Sequence, residues 1–90
     1  MTFYAYVAQS KVREDYLYKG HCSDLRLRLN QHNAGITKSI RAFIPFRIIY
    51  YESFATREEA IAAEKYWKTA AGRRYLHSVF ETGLVVQWIE

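Results

Sequence analysis

Three short segments of the chain are rich in aromatic and β-branched residues, a composition typical of β-strands. They are Phe3–Gln9, Asp15–His21 and Phe46–Phe54. Only the polar connection Ser10–Glu14 separates the first two segments, so we expect them to pair as a hairpin. Pro45 immediately precedes the third segment, a position that suits a strand entrance.

Residues 25–29 alternate leucine and arginine (LRLRL) in the manner of a strand, but their flanks indicate a helix. The Ser-Asp pair at 23–24 is typical of an N-cap, and the Asn-Ala-Gly stretch at 33–35 is typical of a helix end. At about 100° per residue, Leu29 and His32 lie on one face together with Leu25. We therefore predict a helix here.

Residues 56–80 predict two further helices. The stretch Thr-Arg-Glu-Glu at 56–59 matches a capping box, and an apolar stripe follows it at helical spacing. That stripe consists of Ala60, Ala63, Trp67 and Ala71. Gly72 is expected to end or break this helix, and Arg73–Phe80 has the apolar spacing of a third, short helix.

The predicted order of elements is β-β-α-β-α-α. This order describes an α+β domain with a three-stranded, mainly antiparallel sheet flanked by helices. A chain of 90 residues can bury one modest core but not two, so residues 1–82 are expected to form a single domain. The apolar tail at 83–90 is expected to dock on the body or to pair as an edge strand, and the pattern leaves both open.

Composition narrows the class of protein. Half of the residues are hydrophobic and 17% are aromatic, which is typical of a folded chain. No apolar run approaches the ~20 residues that cross a bilayer, and the N-terminus lacks the pattern of a signal peptide. Cys22 is the single cysteine, which excludes an internal disulfide and a cysteine-rich zinc site. We expect a cytoplasmic protein without a membrane partner.

The net charge of +4 is unevenly distributed. Residues 1–50 contain eight Lys and Arg against three Asp and Glu, whereas residues 51–90 contain five against six. A basic half attracts polyanions through long-range potential and counterion release. The charge therefore favours nucleic acid as a partner, although many small proteins are mildly basic.

Glu64 is the most informative residue of the second predicted helix, because it lies within the small-residue stripe. A carboxylate there is costly unless it is paired, hydrogen-bonded or bound to a metal. One interpretation is a structural ion pair with Arg57 or Lys68. The other is a metal or catalytic site, for which the small side chains of Ala60 and Ala63 leave room.

Arg28 and His32 lie four residues apart on the first helix and also allow two interpretations. Arg28 can form a surface pair with Asp24, or it can direct a guanidinium at phosphate. His32 can be a residue at the edge of the core or a proton acceptor. Tyr6 and Tyr18 lie on the two hairpin strands, where they are simplest to explain as cross-strand aromatics.

Taken in order, these residues resemble the GIY-YIG nuclease domain, and in particular its small stand-alone bacterial members. The ordered set is Tyr4-Ala5-Tyr6-Val7, Tyr18-Lys19-Gly20, Arg28, His32 and Glu64, and the likeness runs from about Phe3 to Leu76. The first motif has Tyr-Ala in place of Gly-Ile, and the second has Lys19 in place of isoleucine.

The resemblance implies hydrolysis of a DNA phosphodiester with one divalent ion, Mg²⁺ or Mn²⁺. Glu64 would be the sole protein ligand of that ion, and Arg28 would stabilise the transition state. Tyr6, with Tyr18 and His32 nearby, would position or deprotonate the attacking water. His32 is the alternative proton acceptor, because its ordinary pKa lies close to working pH.

Five basic side chains are candidates for contacts with the nucleic-acid backbone. They are Lys19, Arg26, Lys38, Arg41 and Arg47. A stand-alone domain without a recognition module is expected to cut with little sequence preference, in response to DNA structure. A catalytically silent nucleic-acid-binding module and a domain in which these residues serve packing stay as alternatives. The oligomeric state is left open between a monomer and a weak homodimer.

Overall fold

The computed structural model describes residues 1–81 and Ile89. Its sheet contains β1 (Phe3–Ser10), β2 (Leu17–Cys22) and β3 (Phe46–Phe54) in the order β2-β1-β3. Both pairings are antiparallel, so β1 is the central strand. The α+β class and the three-stranded sheet are confirmed. Strand β2 begins two residues later than predicted, because a turn in which Tyr16 N–H donates to the Arg13 carbonyl at 2.8 Å precedes it.

Helix α1 (Leu25–Asn33) confirms the helical interpretation of the LRLRL segment. The Asp24 side chain caps it by accepting a hydrogen bond from Leu27 N–H at 3.0 Å. Leu25, Leu29 and His32 are its buried residues, as the spacing predicted. A 3-10 helix, Lys38–Phe43, occupies most of the connection from α1 to β3.

Helix α2 (Arg57–Trp67) begins with the predicted capping box between Thr56 and Glu59, and α3 (Ala70–Glu81) follows after two residues. The prediction that Gly72 ends or breaks α2 is wrong. Gly72 lies in the first turn of α3, where a Cβ would be 1.8 Å from the Tyr66 carbonyl oxygen. A glycine is required there because the start of α3 lies directly against the end of α2.

The two faces of the sheet carry two separate cores. One face packs Tyr6 and Ala8 against α1 and the 3-10 helix, and the other packs Ala5 and Val7 against Trp67 of α2 and its neighbours on α3. Trp67 and Ala60 are buried as the stripe predicted, but Ala71 is exposed on α3.

Because side chains alternate along a strand, Tyr18 and Gly20 of β2 face α1, whereas Lys19 and His21 face α2.

The predicted tail at 83–90 lies largely outside the described residues. Ile89 is described, and it forms an antiparallel bridge with Ile48 of β3 through backbone hydrogen bonds of 2.8 and 2.9 Å. In the described part of the chain, none of the helices combines the length and the apolar character needed to span a bilayer.

Candidate active site

Three of the predicted site residues form a cluster between β1, β2 and α1. Tyr6 Oη and His32 Nε2 share a hydrogen bond of 2.7 Å. The Tyr18 ring meets the His32 ring edge-on, with 5.0 Å between centroids. Tyr6 is 0% exposed and His32 is 2% exposed, whereas Tyr18 is only half-buried. Of the two phenols, Tyr18 is therefore the more exposed.

Gly20 makes room for this cluster. It is the ladder partner of Tyr6 across β1 and β2. A Cβ at position 20 would lie 2.7 Å from Tyr6 Oη and 2.8 Å from the ring carbon that carries it. Glycine at this position allows the Tyr6 ring to lie flat against β2 and to reach His32.

Burial keeps both partners of the Tyr6–His32 hydrogen bond neutral. Burial is the largest cause that raises the pKa of Tyr6 well above its ordinary value; the Tyr18 phenol adds to this, and the Arg28 charge opposes it. Burial also lowers the pKa of His32, as does the positive charge of Arg28. His32 Nδ1 is buried without a hydrogen-bond partner among the described residues. His32 is thus a neutral imidazole, and its Nε2 shares the hydrogen bond with the neutral Tyr6 hydroxyl.

The lowered pKa of His32 predicts that the protein loses stability on mild acidification. A histidine that is harder to protonate in the folded state than in the unfolded state leaves the free energy of unfolding unchanged above its unfolded pKa of about 6.5. As the pH falls below that value, it lowers the free energy of unfolding, because the unfolded state binds the proton more readily. Urea unfolding at pH 7.5 and pH 5.5 is expected to show a lower free energy of unfolding at pH 5.5. In His32→Gln, the difference between the two pH values should shrink; an equal difference would contradict the assignment.

Arg28 is held at the edge of the sheet beside β2. Its Nε donates to Gln31 Oε1 at 3.1 Å, and its Nη1 donates to the His21 carbonyl at 3.2 Å. No ion pair with Asp24 is found within residues 1–81, so the surface-pair interpretation is not the one the structure shows. The guanidinium is positioned by neutral acceptors and keeps its charge available for an anion.

Glu64 lies on the other face of the sheet, and its carboxylate binds two partners. Oε1 is 2.6 Å from His21 Nδ1, and Oε2 accepts from Lys68 Nζ at 2.6 Å. The side chain is only 15% exposed. Burial alone would raise the pKa of Glu64, but the hydrogen bonds and charges of Lys68 and His21 outweigh it and lower the pKa. Glu64 is therefore an ionised carboxylate near neutral pH, and Lys68 is the partner that the structural interpretation named.

His21 connects Arg28 with Glu64. Its backbone carbonyl accepts from Arg28, while its ring donates Nδ1–H to the ionised carboxylate, which can only accept. The site thus extends around the edge strand β2, with the tyrosines and Arg28 on one side and Glu64 on the other. Sequence reasoning missed this histidine. The available signal was its position directly after Tyr18-Lys19-Gly20, where strand alternation turns it towards α2.

The donor set around Glu64 fits a magnesium-like ion. Among residues 1–81 and Ile89, no group of three or more His, Cys, Asp or Glu side chains is placed to hold a metal. Mg²⁺ is commonly held by one or two carboxylates with water and phosphate oxygens completing the shell, so the single carboxylate of Glu64 is compatible with such an ion. The Lys68 ammonium already occupies a cation position on this carboxylate, and its side chain is 54% exposed. The exposed ammonium can be solvated away from the carboxylate at a lower cost than a buried one.

Comparison with known proteins identifies the chain. The family model described as the GIY-YIG catalytic domain matches residues 2–76. The chain belongs to the GIY-YIG nuclease family.

Similar GIY-YIG proteins are small UPF0213 proteins. One from Streptococcus pneumoniae is 40% identical over 65 residues, which are 71% of this chain and 66% of that protein. One from Streptococcus agalactiae serotype V is 37% identical over 65 residues, covering 71% of this chain and 74% of that protein. The solution NMR structure of a UPF0213 protein from Bacillus halodurans aligns with a TM-score of 0.51 and 28% identity over 88% of this chain and 85% of that one. The matched segment thus spans just under two thirds of the Streptococcus pneumoniae protein.

The five side chains that are predicted to contact the nucleic-acid backbone lie at different places around the sheet of this GIY-YIG chain. Lys19 faces α2 and α3 beside Arg73, and Arg26 and Lys38 are exposed on α1 and the 3-10 helix. Arg41 donates to the Gly35 carbonyl. Arg47 donates to Gln9 Oε1 at 2.9 Å and lies 3.7 Å from a Glu14 oxygen. Lys19 is two residues from His21 on the same face of β2, whereas Arg41 and Arg47 have structural partners elsewhere.

Proposed function

We propose that this GIY-YIG protein is a metal-dependent DNA endonuclease that hydrolyses phosphodiester bonds according to DNA structure, with little sequence preference. The observation that supports this most directly is the shared contact of Arg28 and Glu64 with His21, at 3.2 and 2.6 Å. A guanidinium and an ionised carboxylate are thereby held at one edge of the sheet. A phosphate bound at that edge would meet the positive charge of Arg28 and a cation held by Glu64.

Each residue has a role that follows from its surroundings. Glu64, oriented by His21, would hold Mg²⁺ or Mn²⁺, and such an ion supplies charge neutralisation at the scissile phosphate. Arg28 stabilises the charge that develops on the phosphate in the transition state, because its forked donors match phosphate oxygens. Gln31 keeps the guanidinium oriented for this contact.

The Tyr6–Tyr18–His32 cluster is proposed to handle the water and its proton. The raised pKa of Tyr6 makes a free phenolate costly, and its side chain is 0% exposed. Tyr6 would therefore act as a neutral hydroxyl that holds the His32 ring in place through their 2.7 Å hydrogen bond. Neutral His32 would be the proton acceptor of the site. Tyr18, the more exposed phenol, would orient the attacking water.

A silent DNA-binding module is the second candidate function. Two observations favour it: Glu64 is neutralised by Lys68, and Tyr6 is fully enclosed. On this alternative the protein would bind the DNA backbone through its basic residues without cutting it.

Metal removal separates the two candidates. Supercoiled plasmid incubated with the purified protein and Mg²⁺ or Mn²⁺ is expected to be nicked, and EDTA is expected to abolish nicking while a gel shift in EDTA still shows salt-dependent binding. Flap, branched and linear duplex oligonucleotides compared in the same buffer test the preference for structure. Binding without any cleavage under both metals would favour the silent module.

A further inference from the structure

Lys68 links the proposed metal position to a second group of cations. Its Nζ lies 2.6 Å from Glu64 Oε2, and its backbone carbonyl accepts from Arg73 Nη1 at 2.7 Å. Lys68 is also the C-terminal cap of α2, so its backbone is fixed, whereas its side chain is 54% exposed. Because the backbone is fixed, only rotations within the lysine side chain can change the position of its ammonium group.

Lys19 and Arg73 form a cationic cleft next to this lysine. Both line a cavity of about 300 Å³ between β2 and α3, with His77 also on its wall. Lys19 is half-buried, and its pKa is lowered first by burial and then by the charges of Arg73 and Lys68. The acidic residue on the same wall, Asp15, is paired with Arg13 at 3.4 Å. Three like charges gathered beside a sheet edge repel each other, and an anion between them relieves that repulsion.

We propose that Lys68 is a displaceable counter-ion: it neutralises Glu64 in the free protein, and when a divalent cation takes its place it joins Lys19 and Arg73 in binding a phosphate of the DNA backbone. The identification of this ligand as DNA rests on the proposed function. Two positive charges cannot occupy one carboxylate at low cost, so the incoming cation releases the ammonium. The released ammonium adds a donor to the cleft, and binding of the cation and binding of DNA then strengthen each other, as linkage requires.

Cation binding to the free protein tests the first half of the proposal. Binding of Mn²⁺ is measured by electron paramagnetic resonance without DNA, for the wild type and for Lys68→Met. Removing the competing ammonium is expected to tighten Mn²⁺ binding about 3- to 10-fold. Lys65→Met removes the same charge from an exposed position on the same helix and is expected to change it less than about 2-fold. Lys68→Arg keeps the counter-ion and should resemble the wild type.

DNA binding tests the second half. Fluorescence anisotropy with a 20-base-pair duplex is measured in EDTA and with Ca²⁺ at constant ionic strength. Ca²⁺ is expected to tighten binding by the wild type more than by Lys68→Met. In Glu64→Gln, which lacks the charged partner of Lys68, Ca²⁺ should have no such effect.

The outcomes of these measurements separate the two proposals. Equal Mn²⁺ affinity of the wild type and Lys68→Met, with Glu64→Gln clearly weaker, would overturn the counter-ion proposal and leave the nuclease proposal intact. Equal gains in Lys68→Met and Lys65→Met would also overturn it, because they would reflect net charge alone. Absence of Mn²⁺ binding in every variant would overturn both the counter-ion proposal and the metal role of Glu64.

Discussion

Glu64→Gln is expected to reduce metal-dependent nicking at least about 100-fold, which corresponds to about 2.7 kcal/mol of transition-state stabilisation. Glutamine preserves the shape of the side chain and can still contact His21, but it removes the charge that attracts a divalent ion. The Lys68 pair that is lost lies partly in solvent, so the free energy of unfolding should change by less than about 1 kcal/mol. Initial nicking rates over a range of Mn²⁺ concentrations, together with urea unfolding, measure both quantities.

The control for this variant is Glu58→Gln, which removes the same charge from an exposed position of α2. It should nick DNA at the wild-type rate. Comparable activity in Glu64→Gln and Glu58→Gln would show that Glu64 serves only as the ion-pair partner of Lys68. A large loss of stability in Glu64→Gln would instead identify the carboxylate as a structural element of the α2–β2 contact.

Arg28→Gln is expected to lower the single-turnover cleavage rate about 100- to 1000-fold, because donors aimed at developing charge typically have effects of this size. The loss should appear in the rate at saturating protein rather than in DNA affinity, since a single cation contributes a salt slope of about one at most. Arg28→Lys retains the charge but cannot satisfy Gln31 and the His21 carbonyl with the same fork. It should therefore recover only part of the rate.

Arg13→Gln is the matched control, because Arg13 is an exposed arginine of the β1–β2 turn whose partner is Asp15 at 3.4 Å. It removes one positive charge at a distance from His21 and should leave cleavage near the wild-type rate. If Arg28→Gln weakened DNA binding and cleavage by the same factor, Arg28 would be a backbone contact and not a group that acts on the transition state.

Local patterns were sufficient for most of the secondary structure. The capping signals of Asp24 and Thr56 act within one helical turn, so they defined the starts of α1 and α2 without knowledge of the rest of the fold. The spacing of apolar residues likewise identified the buried face of α1. The boundary at Gly72 could not be predicted in this way. Glycine is needed there because a Cβ would lie 1.8 Å from the carbonyl oxygen of Tyr66 in the preceding helix.

The sequence by itself determined the family and the residue types of the candidate site. Tyr6, Tyr18, Arg28, His32 and Glu64 could be selected because their order and spacing resemble the GIY-YIG pattern, and the family assignment is confirmed.

Only the tertiary structure decided how these side chains meet. Strand alternation placed Tyr18 and His21 on opposite faces of β2, and the packing of α1 and α2 on those two faces brought Arg28 to the carbonyl of His21 and Glu64 to its ring. It also placed Lys68 on Glu64 and enclosed Tyr6. Such contacts depend on the distance between elements far apart in the chain, which no local pattern encodes.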